Sequence, residues 1–112
     1  MSEHSGSCHC GRVQLVLSET PLVAVECNCS VCRRIAGLWH YCSSKAVAIQ
    51  GSSIAYQQGD RALDLWHCSS CGCTTHWTPT DPVYPRSGVN LRMFDPELWR
   101  DLPRRLVDGA RH

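Results

Sequence analysis

Nowhere in its 112 residues does the chain hold an apolar run long enough to cross a bilayer. No basic run exceeds two residues and the formal net charge is +1, so the electrostatic footprint of a nucleic-acid binder is missing. The six arginines from Arg86 to Arg111 are interspersed with acidic residues and read as a solvated surface. Internal repeats and low-complexity segments are also absent, which excludes solenoids and disordered linkers. The opening Met1-Ser2-Glu3-His4 has neither the basic nor the apolar region of a secretory signal, and a reduced, cytoplasmic setting is expected from it.

What the sequence does have is cysteine, nine in all. The number is odd, and the residues fall in C-x-C and C-x-x-C groups rather than being spread as bridge partners. That pattern points to metal binding more than to a disulfide scaffold. A hydrophobic content of 43% with 19% charged residues is that of an ordinary globular chain, and its length suits one domain over residues 1–112.

Short β-rich runs dominate the rest. Arg12–Leu17 begins as an alternation of polar and apolar residues, and Leu22–Cys27, Leu38–Cys42, Ala46–Gln50, Ile54–Gln57, Ala62–His67 and Thr74–Trp77 all have strand composition. Gly51-Ser52-Ser53 and Gly59-Asp60 are turn signals between them. Three prolines make Thr78–Ser87 a loop that ends at Gly88, after which Val89–Phe94 resumes extended structure. Asp95 caps a helical turn with Pro96 in its first position, and 102–110 offers a last strand. A short helix with Cys32 on its first turn is expected to be capped by Ser30 and ended by Gly37. The expected fold class is all-β, with one or two helical turns.

Three cysteine groups stand out. Cys8-x-Cys10 and Cys68-x-x-Cys71 each make half of a four-thiolate site, and together they would give a closed tetrahedral zinc site of the structural kind. Clamping a loop of 58 positions restricts the unfolded chain. Cys27, Cys29 and Cys32 form a C-x-C-x-x-C group whose thiols can reach one metal ion. In extended chain Cys27 and Cys29 project to the same side, and Cys32 follows after a turn. This group is one ligand short. Either Cys42, Cys73 or a histidine completes it, or the fourth position stays open for water or substrate, as in catalytic zinc sites. Arg33 and Arg34 can offset the negative charge of three thiolates on Zn²⁺ and hold a substrate carboxylate, or can be solvated.

Cys42 lies in an apolar run and reads as a buried small hydrophobe. Cys73 follows Cys71 too closely to be assigned independently. His9, His40, His67 and His76 read as packing or supporting residues rather than bases. A redox role for Cys68-x-x-Cys71 lacks the surrounding βαβ pattern.

Taken together, Ser7-Cys8-His9-Cys10-Gly11, Cys27-Asn28-Cys29-Ser30-Val31-Cys32-Arg33 and Cys68-Ser69-Ser70-Cys71-Gly72 resemble the glutathione-dependent formaldehyde-activating enzyme family, which includes centromere protein V. Gly88-Val89-Asn90-Leu91-Arg92 and Asp108-Gly109-Ala110 resemble its bacterial members. The resemblance implies a zinc-clamped β-tent fold. It implies a structural zinc on Cys8, Cys10, Cys68 and Cys71, and a functional zinc acting through Cys27, Cys29 and Cys32. Asn90 and Arg92 are pocket candidates by the same resemblance. The implied activity is that of a carbon–sulfur lyase forming S-hydroxymethylglutathione from glutathione and formaldehyde.

Three functions fit these residues: an enzyme acting on a thiol–aldehyde adduct, a module that binds a thiol without catalysis, and a purely structural two-zinc interaction domain. No nucleic-acid or membrane partner is expected.

Overall fold

The computed structural model describes residues 3–57 and 62–111. It has an N-terminal hairpin, β1 (His4–Ser7) with β2 (Gln14–Leu17), then β3 (Ala24–Cys27) and a one-turn helix α1 (Cys32–Ile35). Strands β4 (Trp39–Ser43), β5 (Val47–Gln50), β6 (Ser53–Tyr56), β7 (Leu63–Cys68), β8 (Thr74–Pro79) and β9 (Arg86–Asn90) follow. A 3-10 turn (Leu91–Met93), a second one-turn helix α2 (Pro96–Trp99) and β10 (Arg104–Val107) complete the order, with a 3-10 turn at Gly109–Arg111. The all-β expectation holds. The expected turn at Gly59-Asp60 lies outside the described residues. Among the described residues no helix is long and apolar enough to cross a membrane.

The strands form two sheets, a small one ordered β1-β2-β5 and a large one ordered β10-β3-β4-β9-β8-β7-β6. Side-chain alternation divides β4 between two apolar clusters. Cys42 joins the main core with Cys8, Val13, Leu15, Leu17, Leu38, Cys68, Val89 and Leu91. Trp39 and Tyr41 instead meet Val25 and Trp77, with Leu63, Leu65 and Val107 around them. The first cluster is the general core, and the second lies behind the three-cysteine group. Cys42 is therefore the buried apolar thiol expected of it, 6% exposed.

Several local expectations are corrected. β1 was not anticipated, because His4-Ser5-Gly6-Ser7 has no apolar alternation; pairing with β2 in the register His4↔Leu17 creates it. The loop after β8 is shorter than three prolines suggested. Pro79 remains in the strand because β9 pairs with β8 only at His76 and Trp77. Where Pro79 sits, β8 has one neighbour, so the missing N–H forfeits little. Gly88 does not end a loop but lies within β9. A β-carbon there would be 1.8 Å from Trp77 Nε1, so glycine is what lets the indole cross the strand.

The extended reading of Val89–Phe94 fails at Leu91. Asn90 Oδ1 accepts the Arg92 N–H at 3.2 Å and turns the chain into the 3-10 segment. Asp95 caps α2 as expected, accepting the Glu97 N–H at 2.9 Å, with Pro96 in the first turn.

Candidate metal centres and substrate cleft

The first cysteine group is built by two hairpin ends. In the β1–β2 connection the Cys8 N–H donates to the Val13 carbonyl, and in the β7–β8 connection the Cys68 N–H donates to the Cys73 carbonyl. Each turn is released by a left-handed glycine, Gly11 at φ 82° and Gly72 at φ 80°. Arg12 Nη1 reaches across to Ser70 Oγ at 3.2 Å, tying one turn to the other.

The sulfurs of Cys8, Cys10, Cys68 and Cys71 all lie within 4.8 Å of one another. Four sulfurs at about 2.3 Å from one ion stand roughly 3.8 Å apart in a tetrahedron. Cys8 and Cys10 Sγ are 3.6 Å apart, and Cys10 and Cys68 Sγ 3.7 Å. The donor set and its spacing thus suit a soft tetrahedral ion such as zinc.

Backbone N–H groups converge on these sulfurs. Val13 donates to Cys8 Sγ at 3.3 Å, and Ser70 and Cys71 donate to Cys68 Sγ at 3.4 and 3.5 Å. The N–H groups of Cys73 and Cys10 bring the Cys71 thiol down to about 5, and those of Cys71 and Ser70 lower Cys68. Cys73 contributes through its backbone, while its side chain packs against the main core.

The second group hangs between β3 and α1. Cys27 closes β3, and the Cys32 N–H donates to Cys29 Sγ at 3.4 Å. The expected cap at Ser30 is therefore wrong: the first helical turn presents its N–H to the Cys29 sulfur, and no side-chain oxygen caps the helix. Gly37 does not take the left-handed position either. Ala36 does, at φ 54° and ψ 40°, with its N–H on the Cys32 carbonyl.

The sulfurs of Cys27, Cys29 and Cys32 also lie within 4.8 Å of one another, and among the described residues no fourth Cys, His, Asp or Glu joins them. Cys42 is in the main core and Cys73 beside the other cysteine group, so neither completes the set. Burial opposes ionisation of Cys29, but the N–H and thiol of Cys32 outweigh it and its pKa is lowered. Burial, then the neighbouring Cys29 thiol, pushes Cys32 up. Three crowded thiols resist ionising together, and a divalent ion removes that resistance.

The C-terminal segment clamps this loop. β10 runs parallel to β3 with Val107 opposite Cys27. Asn28 Nδ2 donates to Asp108 Oδ1 at 2.9 Å, and Asn28 Oδ1 accepts the Ala110 N–H at 2.9 Å. These contacts were not anticipated; only the sheet order brings residues 106–110 to the cysteines.

A cleft of about 510 Å³ opens beside the group, lined by Cys27, Cys32, Asn28, Arg33, Arg92 and Asp108 among others. The two neighbouring arginines part here. Arg33 lines the cleft, whereas Arg34 turns back to donate to the Ser30 carbonyl at 2.7 Å. Arg92 is held at the cleft by donating Nε–H to the Ala36 carbonyl at 2.7 Å and by lying 5.2 Å from the Trp99 ring.

Asn90 is not brought to the cleft. It is 3% exposed, its Oδ1 accepts from Leu38 and Arg92 N–H, and its Nδ2 donates to the Thr74 carbonyl. Its amide is consumed in joining β9 to its neighbours, which corrects its expected place in the pocket.

The cysteine group also borders a small apolar pocket of about 100 Å³, reached by Trp39, Tyr41, Tyr56, Leu63, Leu65 and Trp77. Tyr41 stands edge-on to Trp77, their ring centres 5.7 Å apart. Burial, then the nearby Cys27, pushes the Tyr41 phenol up to about 12. None of the described histidines joins either cysteine group: His40 Nε2 pairs with Glu19 at 3.0 Å, and His76 stacks on Trp66 at 6.0 Å.

Comparison with known proteins agrees with this architecture. The family model described as glutathione-dependent formaldehyde-activating enzyme matches residues 3–103. Among solved structures, the crystal structure of a Rhodobacter sphaeroides protein is similar with a TM-score of 0.72 at 28% identity, over 90% of this chain and 99% of that one. No curated protein gives a significant match.

Proposed function

The chain belongs to the glutathione-dependent formaldehyde-activating enzyme family, and we propose that it is a zinc-dependent carbon–sulfur lyase joining the sulfur of a small thiol to an aldehyde carbon. Glutathione and formaldehyde are the substrates the family implies. The observation that carries this reading is the three-sulfur group, one ligand short among the described residues and opening on a cleft with two arginines.

Cys8, Cys10, Cys68 and Cys71 would hold a structural zinc. Cys27, Cys29 and Cys32 would hold a second, which when bound supplies a Lewis acid that keeps a thiol ionised at neutral pH. The remaining work belongs to the chain's own residues. Arg33 and Arg92 offer guanidinium forks to the carboxylates of a thiol such as glutathione. Arg92 comes pre-oriented by Ala36 and Trp99, so little of its freedom remains to be lost on binding. Asn28, Asp108 and Gly109 hold the cysteine loop in place while the reacting groups meet.

Cys29→Ser tests the reading. It should abolish adduct formation above the uncatalysed rate while the folded spectrum and the closed zinc site persist. Parallel loss of fold and activity would count against it. Saturable glutathione binding by the wild type with no acceleration would favour a thiol-carrying module instead.

A further inference from the structure

The cysteine group borders two unlike spaces. Cys27 and Cys32 line both the charged cleft and the apolar pocket, and Cys29 lines the pocket. A thiol bearing carboxylates fits the side with Arg33 and Arg92. Formaldehyde, two heavy atoms with no hydrocarbon substituent, gives no reason for an aromatic and aliphatic pocket beside the same sulfurs.

We infer that this pocket receives the hydrocarbon substituent of the carbonyl substrate, so that the second substrate class extends to aliphatic aldehydes larger than formaldehyde. The inference rests on the lyase reading above and narrows its substrate.

Size and chemistry support it. An apolar cavity of about 150 Å³ holds a benzene ring. One of about 100 Å³ therefore suits an aliphatic group of roughly three to five carbons. The walls come from four strands, with Trp39 and Tyr41 on β4, Tyr56 on β6, Leu63 and Leu65 on β7, and Trp77 on β8. Among the described residues no Lys, Arg, Asp or Glu lines the pocket. Trp39 is 1% exposed, and its indole N–H lies beside the Cys32 thiol, which it helps to ionise. This N–H lies beside Gly37, a residue of the cleft wall, at the border between the two spaces.

The step balances without an oxidant. The thiol sulfur forms a bond to the carbonyl carbon, the π pair moves to oxygen, and the proton lost from the thiol is regained from water at that oxygen. The product is an S-(1-hydroxyalkyl) adduct.

Two measurements on the zinc-loaded protein test this. The first is titration with butanal in the absence of thiol, followed by tryptophan emission, since Trp39 and Trp77 wall the pocket. Saturable change is expected in the wild type and should be lost in Leu65→Phe, which fills the space. The second is the acceleration over the uncatalysed rate with glutathione and formaldehyde, butanal or hexanal. Butanal should exceed formaldehyde by about tenfold or more. Leu65→Phe should erase that preference, and Leu65→Ala should move it toward hexanal, so the pair remains informative if one variant folds poorly.

No saturable butanal signal in the wild type, or equal acceleration for all three aldehydes in all three proteins, would overturn the inference while leaving the lyase reading standing. Saturable butanal binding with no acceleration of any aldehyde would overturn the lyase reading and still support an apolar carbonyl ligand in this pocket.

Discussion

Gly109 lies so close to Cys27 that a β-carbon at position 109 would stand 2.5 Å from the Cys27 sulfur and 3.0 Å from Cys29 Cβ. The C-terminal segment is thus a wall of the three-cysteine group, and the absence of a side chain at 109 sets where Cys27 can sit. Gly109→Ala should push that sulfur aside. Zinc affinity at this group should fall by about tenfold to a hundredfold, the range for residues that support metal ligands. Competition with a chelator would report it, with the four-cysteine site as internal control.

Arg33 and Arg34 are neighbours in sequence with different surroundings. Arg33→Ala should weaken glutathione binding by about fivefold, in keeping with an exposed charge pair, and the loss should shrink as salt is raised. Arg34→Ala removes a side chain already engaged with the Ser30 carbonyl, and binding should stay within about twofold. Calorimetric titration of both variants at two salt concentrations separates them.

At Gly88 the crowding is with Trp77. Gly88→Ala places a methyl group inside the indole's volume and should destabilise the fold by about 2–3 kcal/mol, as overpacking does. A lowered denaturant midpoint with an unchanged slope is expected, accompanied by a shift in tryptophan emission.

His76 gives the fold a pH dependence of its own. Burial lowers its pKa from 6.5 to about 4, so the folded state resists a proton that the unfolded chain accepts. Between those two values the unfolded state binds more protons, and stability falls as pH falls. The slope should approach about 1.4 kcal/mol per pH unit and total roughly 3 kcal/mol. His76→Gln should flatten this part of the profile. Any acid release of metal from the cysteines would be common to both proteins, so the difference between their curves isolates the histidine.

The two cysteine groups were the most legible part of the chain. C-x-C and C-x-x-C spacing fixes which sulfurs can converge whatever the surrounding fold, and strand alternation marks most of the sheet. What escaped was set by contacts distant in sequence. β1 exists because β2 pairs with it, and the Leu91 turn exists because the Asn90 side chain intercepts the Arg92 N–H. Cys29 stands in for Ser30 as the acceptor at the start of α1, its sulfur taking the Cys32 N–H at 3.4 Å. The aromatic pocket draws on β4, β6, β7 and β8, which become neighbours only through the order β4-β9-β8-β7-β6. No local pattern announces that order. Asn90 was read toward the cleft with Arg92, yet two positions along a chain that turns between them led to opposite environments.

Zinc content and glutathione binding, measured together on the wild type and on a Cys27→Ser/Cys29→Ser/Cys32→Ser variant, test the two-site reading most directly. Two zinc ions per chain should fall to one in the variant, with glutathione binding lost and the folded spectrum intact. One zinc in both proteins, or two in the wild type with no thiol binding, would contradict an open functional site and leave a structural module.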